Sequence, residues 1–230
     1  MNYCTAILLA AGGGTRFDAT RAKQTYQLLG KSVLRRSAEA LAFSASVDAI
    51  VAVVRKEDIP FAEAELAGLS VPVTLVIGGE TRQASAAIGF SHIPSQTTEV
   101  LIHDAARCLI TSAGVDAVAD AVRKYGAASA VTAVNDTVKL LDENCRIVST
   151  FNRDRLCFAA TPQGFAVSLY QKALANAEKE KKSVTDDNML IESLGESVYP
   201  VYVSGNPKIT TPDDMLYAEF LLQKRGKSNG

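Results

Sequence analysis

The chain alternates short, continuously apolar runs with longer segments in which apolar residues recur at the spacing of one helix face. Residues 6–10 form the first apolar run, and helical spacing follows within residues 32–45. The same alternation predicts strands at 49–54, 73–77, 100–103 and 130–134, with helices at 57–67, 82–90 and 112–125. Apolar strands separated by helices indicate βαβ units, whose right-handed crossovers place neighbouring strands parallel. The pattern therefore predicts the α/β class, with a mostly parallel, Rossmann-like sheet flanked by helices.

The alternation stops after Val134, where two short stretches with polar positions surround a turn sequence. Residues 137–141 and 146–150 predict strands, and Asp142-Glu-Asn144 predicts the tight connection between them. These strands are too polar for another buried crossover, so we expect a projecting β-hairpin arm over residues 136–150. Beyond the arm the pattern predicts helices at 167–181 and 187–194, a strand at 198–203 and a final helix capped by Thr211.

Length and composition fit one folded domain over residues 1–230. The chain is 47% hydrophobic and 21% charged, which is typical of a globular protein with a sizeable core. Its 24 basic and 25 acidic side chains nearly cancel, so we expect no nucleic-acid partner. We also expect no membrane partner, because no apolar stretch approaches the roughly 18 residues of a membrane-spanning helix.

The cysteines and histidines lack the spacing of a zinc site; they are Cys4, Cys108, Cys145, Cys157, His92 and His103. We expect the cysteines to be buried, reduced thiols, as in a cytoplasmic protein.

A glycine-rich loop, Ala10-Ala-Gly-Gly-Gly-Thr-Arg16, follows the first predicted strand. Successive glycines let the backbone approach a ligand closely and expose N–H groups to phosphate oxygens, although an ordinary strand-to-helix turn has the same composition. The dinucleotide fingerprint would need glycine in place of Phe17 and an acid in place of Arg55. The P-loop ending at Gly30-Lys-Ser32 would need glycine in place of Thr25. Neither standard nucleotide motif is therefore present.

Two cations near this loop, Arg16 and Lys23, suit a triphosphate, because substitution at phosphorus requires positive charge near the leaving pyrophosphate. The alternative is a pair of solvated surface side chains. Asp104 directly follows an apolar strand, so it belongs at the ligand-binding edge of the sheet, where it faces a metal ion or substrate hydroxyl or caps a loop. We expect the neighbouring His103 to pack within the sheet.

Further landmarks occur in a fixed order: Gly78-Gly-Glu-Thr-Arg82 with Ser85, His103-Asp-Ala-Ala-Arg107, Thr161-Pro-Gln163, Thr185-Asp-Asp187 and Lys208-Ile-Thr-Thr-Pro-Asp213. With this ordered set the chain resembles the 2-C-methyl-D-erythritol 4-phosphate cytidylyltransferases, a family of sugar-phosphate nucleotidyltransferases in isoprenoid precursor synthesis. The resemblance spans almost the whole chain. It departs from the family at Ala22 and Cys108, where proline is usual, and these changes affect loop stiffness more than charge.

The resemblance implies transfer of the cytidylyl group of CTP to 2-C-methyl-D-erythritol 4-phosphate, with release of pyrophosphate. It implies nucleotide contacts from Ala10, Ala11, Gly12, Gly13, Gly14, Gly79, Glu80, Ser85, Ala105 and Arg107. It implies acceptor contacts from Asp104, Arg153, Thr161, Thr185 and Lys208, with Arg16, Lys23, Arg153 and Lys208 as the catalytic cations. It also implies Mg²⁺, or another divalent cation, held mainly by the nucleotide phosphates, and a homodimer formed through the arm.

Three alternatives stay open at this point. A ribitol-5-phosphate cytidylyltransferase would share several of these motifs, and a non-catalytic nucleotide- or sugar-phosphate-binding regulator would bind without releasing pyrophosphate. A nicotinamide oxidoreductase is disfavoured by Phe17 and by the missing acid after the second strand.

Overall fold

The computed structural model describes residues 2–12, 17 and 22–228. Its strands are β1 (Cys4–Leu9), β2 (Gln27–Leu28), β3 (Lys31–Ser32), β4 (Ala49–Val54), β5 (Val73–Ile77), β6 (Glu99–Asp104), β7 (Ala127–Ala133), β8 (Lys139–Leu141), β9 (Ile147–Thr150), β10 (Cys157–Ala166) and β11 (Tyr199–Tyr202). Its α-helices are α1 (Val33–Ala42), α2 (Ile59–Leu66), α3 (Arg82–Ser91), α4 (Ser112–Tyr125), α5 (Val167–Glu180), α6 (Asn188–Glu192) and α7 (Pro212–Ser228). Short 3-10 helices cover Lys23–Thr25, Lys56–Asp58 and Arg153–Arg155.

Seven of these strands form one sheet in the order β11-β7-β10-β6-β1-β4-β5. β1 pairs in parallel with β4 and β6, and the β4–β5 and β7–β11 pairs are also parallel. β10 runs antiparallel to both of its neighbours, β6 and β7. The predicted mostly parallel α/β fold is therefore confirmed, whereas β10 was not predicted.

The central strand β1 shows why the apolar runs are continuous: both of its faces are covered. Ala6 and Leu8 pack into a core cluster with side chains of α1 and α4, while Ile7 packs into a second cluster with side chains of α3, α5 and α6. All three β1 side chains are fully buried. Helices thus cover both faces of the sheet and leave the carboxyl ends of its parallel strands as the open edge.

The arm forms a separate two-stranded antiparallel sheet from β8 and β9 at the position predicted for it. Every residue of both strands is exposed. The chain leaves the main sheet after β7 and returns to it with β10, so the arm is an insertion between two neighbouring strands.

Several details differ from the sequence-based expectations. The predicted helix at 57–67 consists of the 3-10 helix Lys56–Asp58 followed by α2, and β7 begins three residues before its predicted start at 130. Cys4 and Cys108 are buried thiols as expected, but Cys145 and Cys157 are exposed, because they lie on the arm and at the start of β10. In the described part of the chain, no helix combines the length and apolar character needed to cross a bilayer.

Candidate active site

A cavity of about 240 Å³ opens at the carboxyl ends of β1 and β6; we call it the first cavity. It collects most of the residues predicted to contact a nucleotide, namely Ala10, Ala11, Gly12, Gly79, Glu80, Ser85 and Ala105, together with Lys23. Gly13 and Gly14, which share that prediction, and Arg16, the other predicted catalytic cation near the loop, lie outside the described residues.

Close packing of two loops shapes the wall of the first cavity. A Cβ on Gly78 would overlap Ala11 Cβ, so the loops after β1 and β5 approach each other as only glycine allows. Ser85 Oγ accepts a hydrogen bond from the Gly79 N–H at 3.1 Å and so fixes the loop after β5. On the opposite side, Ser37 Oγ donates to the Ala105 carbonyl at 2.7 Å. The backbone groups that face the cavity are therefore held in place before any ligand binds.

The short 3-10 helix Lys23–Thr25 brings Lys23 to the first cavity. The neighbouring Gln24 is buried, and its Nε2 donates to the Ala10 carbonyl and, at 3.4 Å, to Asp58 Oδ2. Arg55 in turn pairs with Asp58 at 2.7 Å. Because of these contacts, the turn that carries Lys23 is anchored to the ends of β1 and β4.

A charged cluster lies at the end of β6. Asp104 Oδ1 accepts from Arg82 Nε at 3.1 Å, and Asp104 Oδ2 accepts from Lys208 Nζ at 2.7 Å. Burial would raise the pKa of Asp104, but the two cations outweigh it and hold that pKa well below its ordinary value of 3.8. Burial would likewise lower the pKa of Arg82, yet the carboxylates of Asp104 and Asp187 raise that pKa above its ordinary value. Asp104 and Arg82 are therefore both ionised at neutral pH.

A second cavity lies on the other side of this cluster. Arg82, Asp104 and Lys208 line both cavities and form the wall between them. The second cavity is also lined by Arg107, Ala159, Ala160, Thr161, Gln163, Thr185 and Asp186. Arg107, which was predicted beside the nucleotide, therefore lies on the second cavity and not on the first.

The threonine and histidine beside Asp104 face inward. Thr161 Oγ1 accepts from the Asp104 N–H at 3.1 Å and shares a hydrogen bond of 3.0 Å with His103 Nδ1. His103 is fully buried, and burial lowers its pKa from 6.5 to about 4. His103 is therefore neutral at physiological pH and packs within the sheet, as the sequence analysis expected.

Of the remaining residues predicted to contact the acceptor, Thr185 lines the second cavity and Arg153 does not. Thr185 is exposed on the second cavity, and its Oγ1 lies 3.2 Å from Met189 Sδ. Arg153 lies at the base of the arm, lines neither cavity, and donates from Nη1 to the Asn135 carbonyl at 2.6 Å. Within one copy of the chain, Arg153 is thus not brought together with Lys208.

The sequence did not predict the contacts of three site residues: Gln24, Arg82 and Asp187. Arg82 and Asp187 belong to the quoted landmarks and Gln24 follows Lys23, but nothing in the sequence reveals their partners. The assembled geometry can bind two anions side by side, with Lys208 and Arg82 at their boundary.

Comparison with known proteins points to one family. Residues 4–224 match the family model described as IspD: 2-C-methyl-D-erythritol 4-phosphate cytidylyltransferase. The chain is 40% identical over 222 residues to the 2-C-methyl-D-erythritol 4-phosphate cytidylyltransferase of Thermosynechococcus vestitus, with 95% of each protein covered. It is 38% identical over 226 residues to the protein of that name from Acaryochloris marina, covering 97% of this chain and 95% of the relative. The crystal structure of 4-diphosphocytidyl-2C-methyl-D-erythritol synthase from Anaerococcus prevotii matches with a TM-score of 0.87 at 29% identity, covering 96% of each chain.

Proposed function

Because the chain belongs to the 2-C-methyl-D-erythritol 4-phosphate cytidylyltransferase family, we propose that its first cavity binds CTP and its second cavity binds the acceptor phosphate. The chain is a cytidylyltransferase of the non-mevalonate pathway, which joins CTP to 2-C-methyl-D-erythritol 4-phosphate and releases pyrophosphate. The observation that carries the division between the cavities is their common wall of Arg82, Asp104 and Lys208.

The proposed reaction is an in-line displacement at the α-phosphorus. An oxygen of the acceptor phosphate forms the new P–O bond, the bond between the α-phosphorus and its bridging oxygen breaks, and pyrophosphate leaves with that electron pair. Lys23 and Arg16 stabilise the charge that moves onto the pyrophosphate. Lys208 offsets the repulsion between the two substrates, so the protein contributes positioning and charge rather than a covalent intermediate.

On the acceptor side, Asp104 accepts hydrogen bonds from acceptor hydroxyls while Arg82 and Lys208 fix its two oxygens. Arg107 contributes a cation to the second cavity, and Thr185 contributes an exposed hydroxyl group at its edge. The Thr161 hydroxyl, predicted to contact the acceptor, instead faces inward and holds the Asp104 N–H. This assignment moves Arg107 from the nucleotide to the acceptor.

Mg²⁺, or another divalent cation, fits this site as a partner of the nucleotide phosphates. Asp104 and Glu80 are the carboxylates that line the first cavity in the described residues, and both oxygens of Asp104 already pair with cations. Such a donor set can supply one protein ligand at most, with phosphate oxygens and water as the others. When bound, the ion would neutralise phosphate charge and align the triphosphate. Chelation with EDTA should therefore abolish turnover, and added Mg²⁺ should restore it.

The arm supports a homodimer, because it exposes a group of large apolar side chains. Leu140, Leu141, Ile147 and Val148 are 46–65% exposed, and Phe151 at its base is 45% exposed. An isolated two-stranded hairpin is marginal in water, so this surface favours burial against a second copy of the chain. Arg153 lies just past the arm and is the candidate for a residue that completes the partner's acceptor site.

Deleting the arm tip, residues 142–145, tests this pairing. Light scattering should report loss of association, and acceptor use should fall while CTP binding is largely retained. A fully active monomer of the intact protein would contradict both the dimer and the shared site; an active monomeric deletion variant would contradict only the shared site.

A cytoplasmic location is also proposed, supported by the free thiols of Cys4 and Cys108, which a reducing compartment preserves.

Pyrophosphate release tests the proposed function directly. CTP with 2-C-methyl-D-erythritol 4-phosphate should be the preferred pair among the four nucleoside triphosphates and against ribitol 5-phosphate. Lys23→Ala should lower kcat by about 10²–10³-fold, as removal of one preorganised donor does. Lys56→Ala, which removes an exposed lysine after β4, is the matched control and should stay near wild type. A near-normal kcat for Lys23→Ala would contradict the role given to Lys23.

A further inference from the structure

Asp187 is a buried carboxylate that stands behind the wall between the cavities. It is 1% exposed, directly precedes α6, and lines neither cavity. Its Oδ2 accepts from Arg82 Nη1 at 2.6 Å, and its Oδ1 accepts from the Tyr170 hydroxyl at 2.7 Å. Its N–H donates to Gln163 Oε1 at 2.9 Å. A buried charge is retained only when it is paired, and here Arg82 is the paired cation.

Arg82 connects this carboxylate to the site. Its guanidinium is planar and rigid: Nη1 bonds to Asp187, while Nε bonds to Asp104 at 3.1 Å. The bond from Nη1 to Asp187 therefore also sets the direction of the Nε–H group, and with it the position of one oxygen of Asp104. The other oxygen of Asp104 receives Lys208. An unbroken line of charge-assisted hydrogen bonds thus runs from Tyr170 on α5 to Lys208 before α7.

We propose that Asp187 is a positioning residue for the acceptor: without touching substrate, it orients Arg82 so that Asp104 and Lys208 keep their acceptor-binding arrangement. This inference rests on the proposed function, which assigns Asp104 and Lys208 to the acceptor.

The charge balance of this cluster predicts that removing the charge of Asp187 affects the binding of CTP and of the acceptor differently. Arg82 and Lys208 are balanced by Asp104 and Asp187, so the cluster as a whole is neutral. When the charge of Asp187 is removed, Arg82 keeps one carboxylate and is drawn towards the phosphates in the first cavity. Binding of CTP is then retained or strengthened, whereas Asp104 loses its fixed geometry towards the acceptor.

Steady-state kinetics of Asp187→Asn tests the inference. We expect the acceptor KM to rise about tenfold or more and kcat to fall, with no rise in the KM for CTP, because misplaced positioning groups cost about that much. Tyr170→Phe is the matched control: it removes the donor on the other oxygen of Asp187 and leaves the ion pair with Arg82. Its acceptor KM should stay within about twofold of wild type.

Arg82→Lys provides an independent test, since lysine keeps the charge but lacks the planar guanidinium that binds both carboxylates. Like Asp187→Asn, it should raise the acceptor KM without raising the KM for CTP. If Asp187→Asn does not fold, this variant alone tests the positioning role. Equal increases in both KM values, an unchanged acceptor KM, or the same acceptor defect in Tyr170→Phe would overturn the inference.

Asp104→Asn separates this inference from the proposed function. A normal acceptor KM in Asp104→Asn would contradict the assignment of the second cavity to the acceptor. An impaired Asp104→Asn together with normal Asp187→Asn and Arg82→Lys variants would overturn only the positioning role.

Discussion

Protonation of the buried His103 should destabilise this fold on acidification. Burial lowers its pKa to about 4 in the folded protein, with a smaller effect in the same direction from Arg107 and an opposing one from Asp104. In the unfolded chain the pKa returns to its ordinary value of 6.5. The unfolded state thus binds the proton first, so the stability contributed by neutral His103 is present above the unfolded pKa and is lost as the pH falls. Between about pH 7 and about pH 4.5, the two pKa values give a loss of roughly 2 kcal/mol in the free energy of unfolding.

Urea unfolding of the wild type and of His103→Asn at these two pH values measures this loss. Asparagine keeps a polar group near Thr161 but does not titrate. The difference between the two pH values is taken within each protein, so the constant cost of the smaller side chain cancels. The wild type should lose about 2 kcal/mol more than the variant on acidification. Equal losses in the two proteins would refute the reasoning.

Two further substitutions test the packing of the sheet and of the turn that carries Lys23. Gly164→Ala should lower the free energy of unfolding by about 1–3 kcal/mol, because the added Cβ would lie 2.5 Å from Val122 Cγ2; Gly226→Ala on α7, where nothing lies within 4 Å, should unfold no earlier than wild type in the same urea titration. Gln24→Leu should lower kcat with little change in the KM for CTP, since the buried amide anchors the turn; Gln27→Leu, the same change at an exposed position, should not.

The sequence predicts the strands whose hydrophobic pattern follows directly from their burial. Strands buried on both faces need apolar side chains on both, and β4 is apolar throughout, while β1 and β6 are apolar over residues 6–9 and 100–102. β10 escaped prediction because Pro162 and Gly164 normally argue against a central strand. The structure accommodates them because the register shifts between Ala159 and Gln163, so Pro162 falls at the irregularity.

The sequence predicts the part of the site that is built from backbone loops. Glycines after apolar strands indicate where the chain turns over the open edge of the sheet, and Ala11, Gly12 and Gly79 do line the first cavity. The ionic contacts were not predictable, because Arg82 and Asp187 are 105 residues apart and only folding brings them to 2.6 Å. For the same reason, sequence order could not assign Arg107 to one side of the wall or the other.

The arm can change length without disturbing the sheet from which it emerges. Ala133 at the end of β7 and Cys157 at the start of β10 are paired neighbours in the main sheet. The two ends of the insertion are therefore held one strand spacing apart, whatever number of residues lies between them. Each doubling of a flexible loop costs only about 0.6 kcal/mol in closure entropy. Insertions and deletions in this segment are thus tolerated at the level of folding, which lets the surface offered to other molecules diverge while the scaffold of the cavities stays constant.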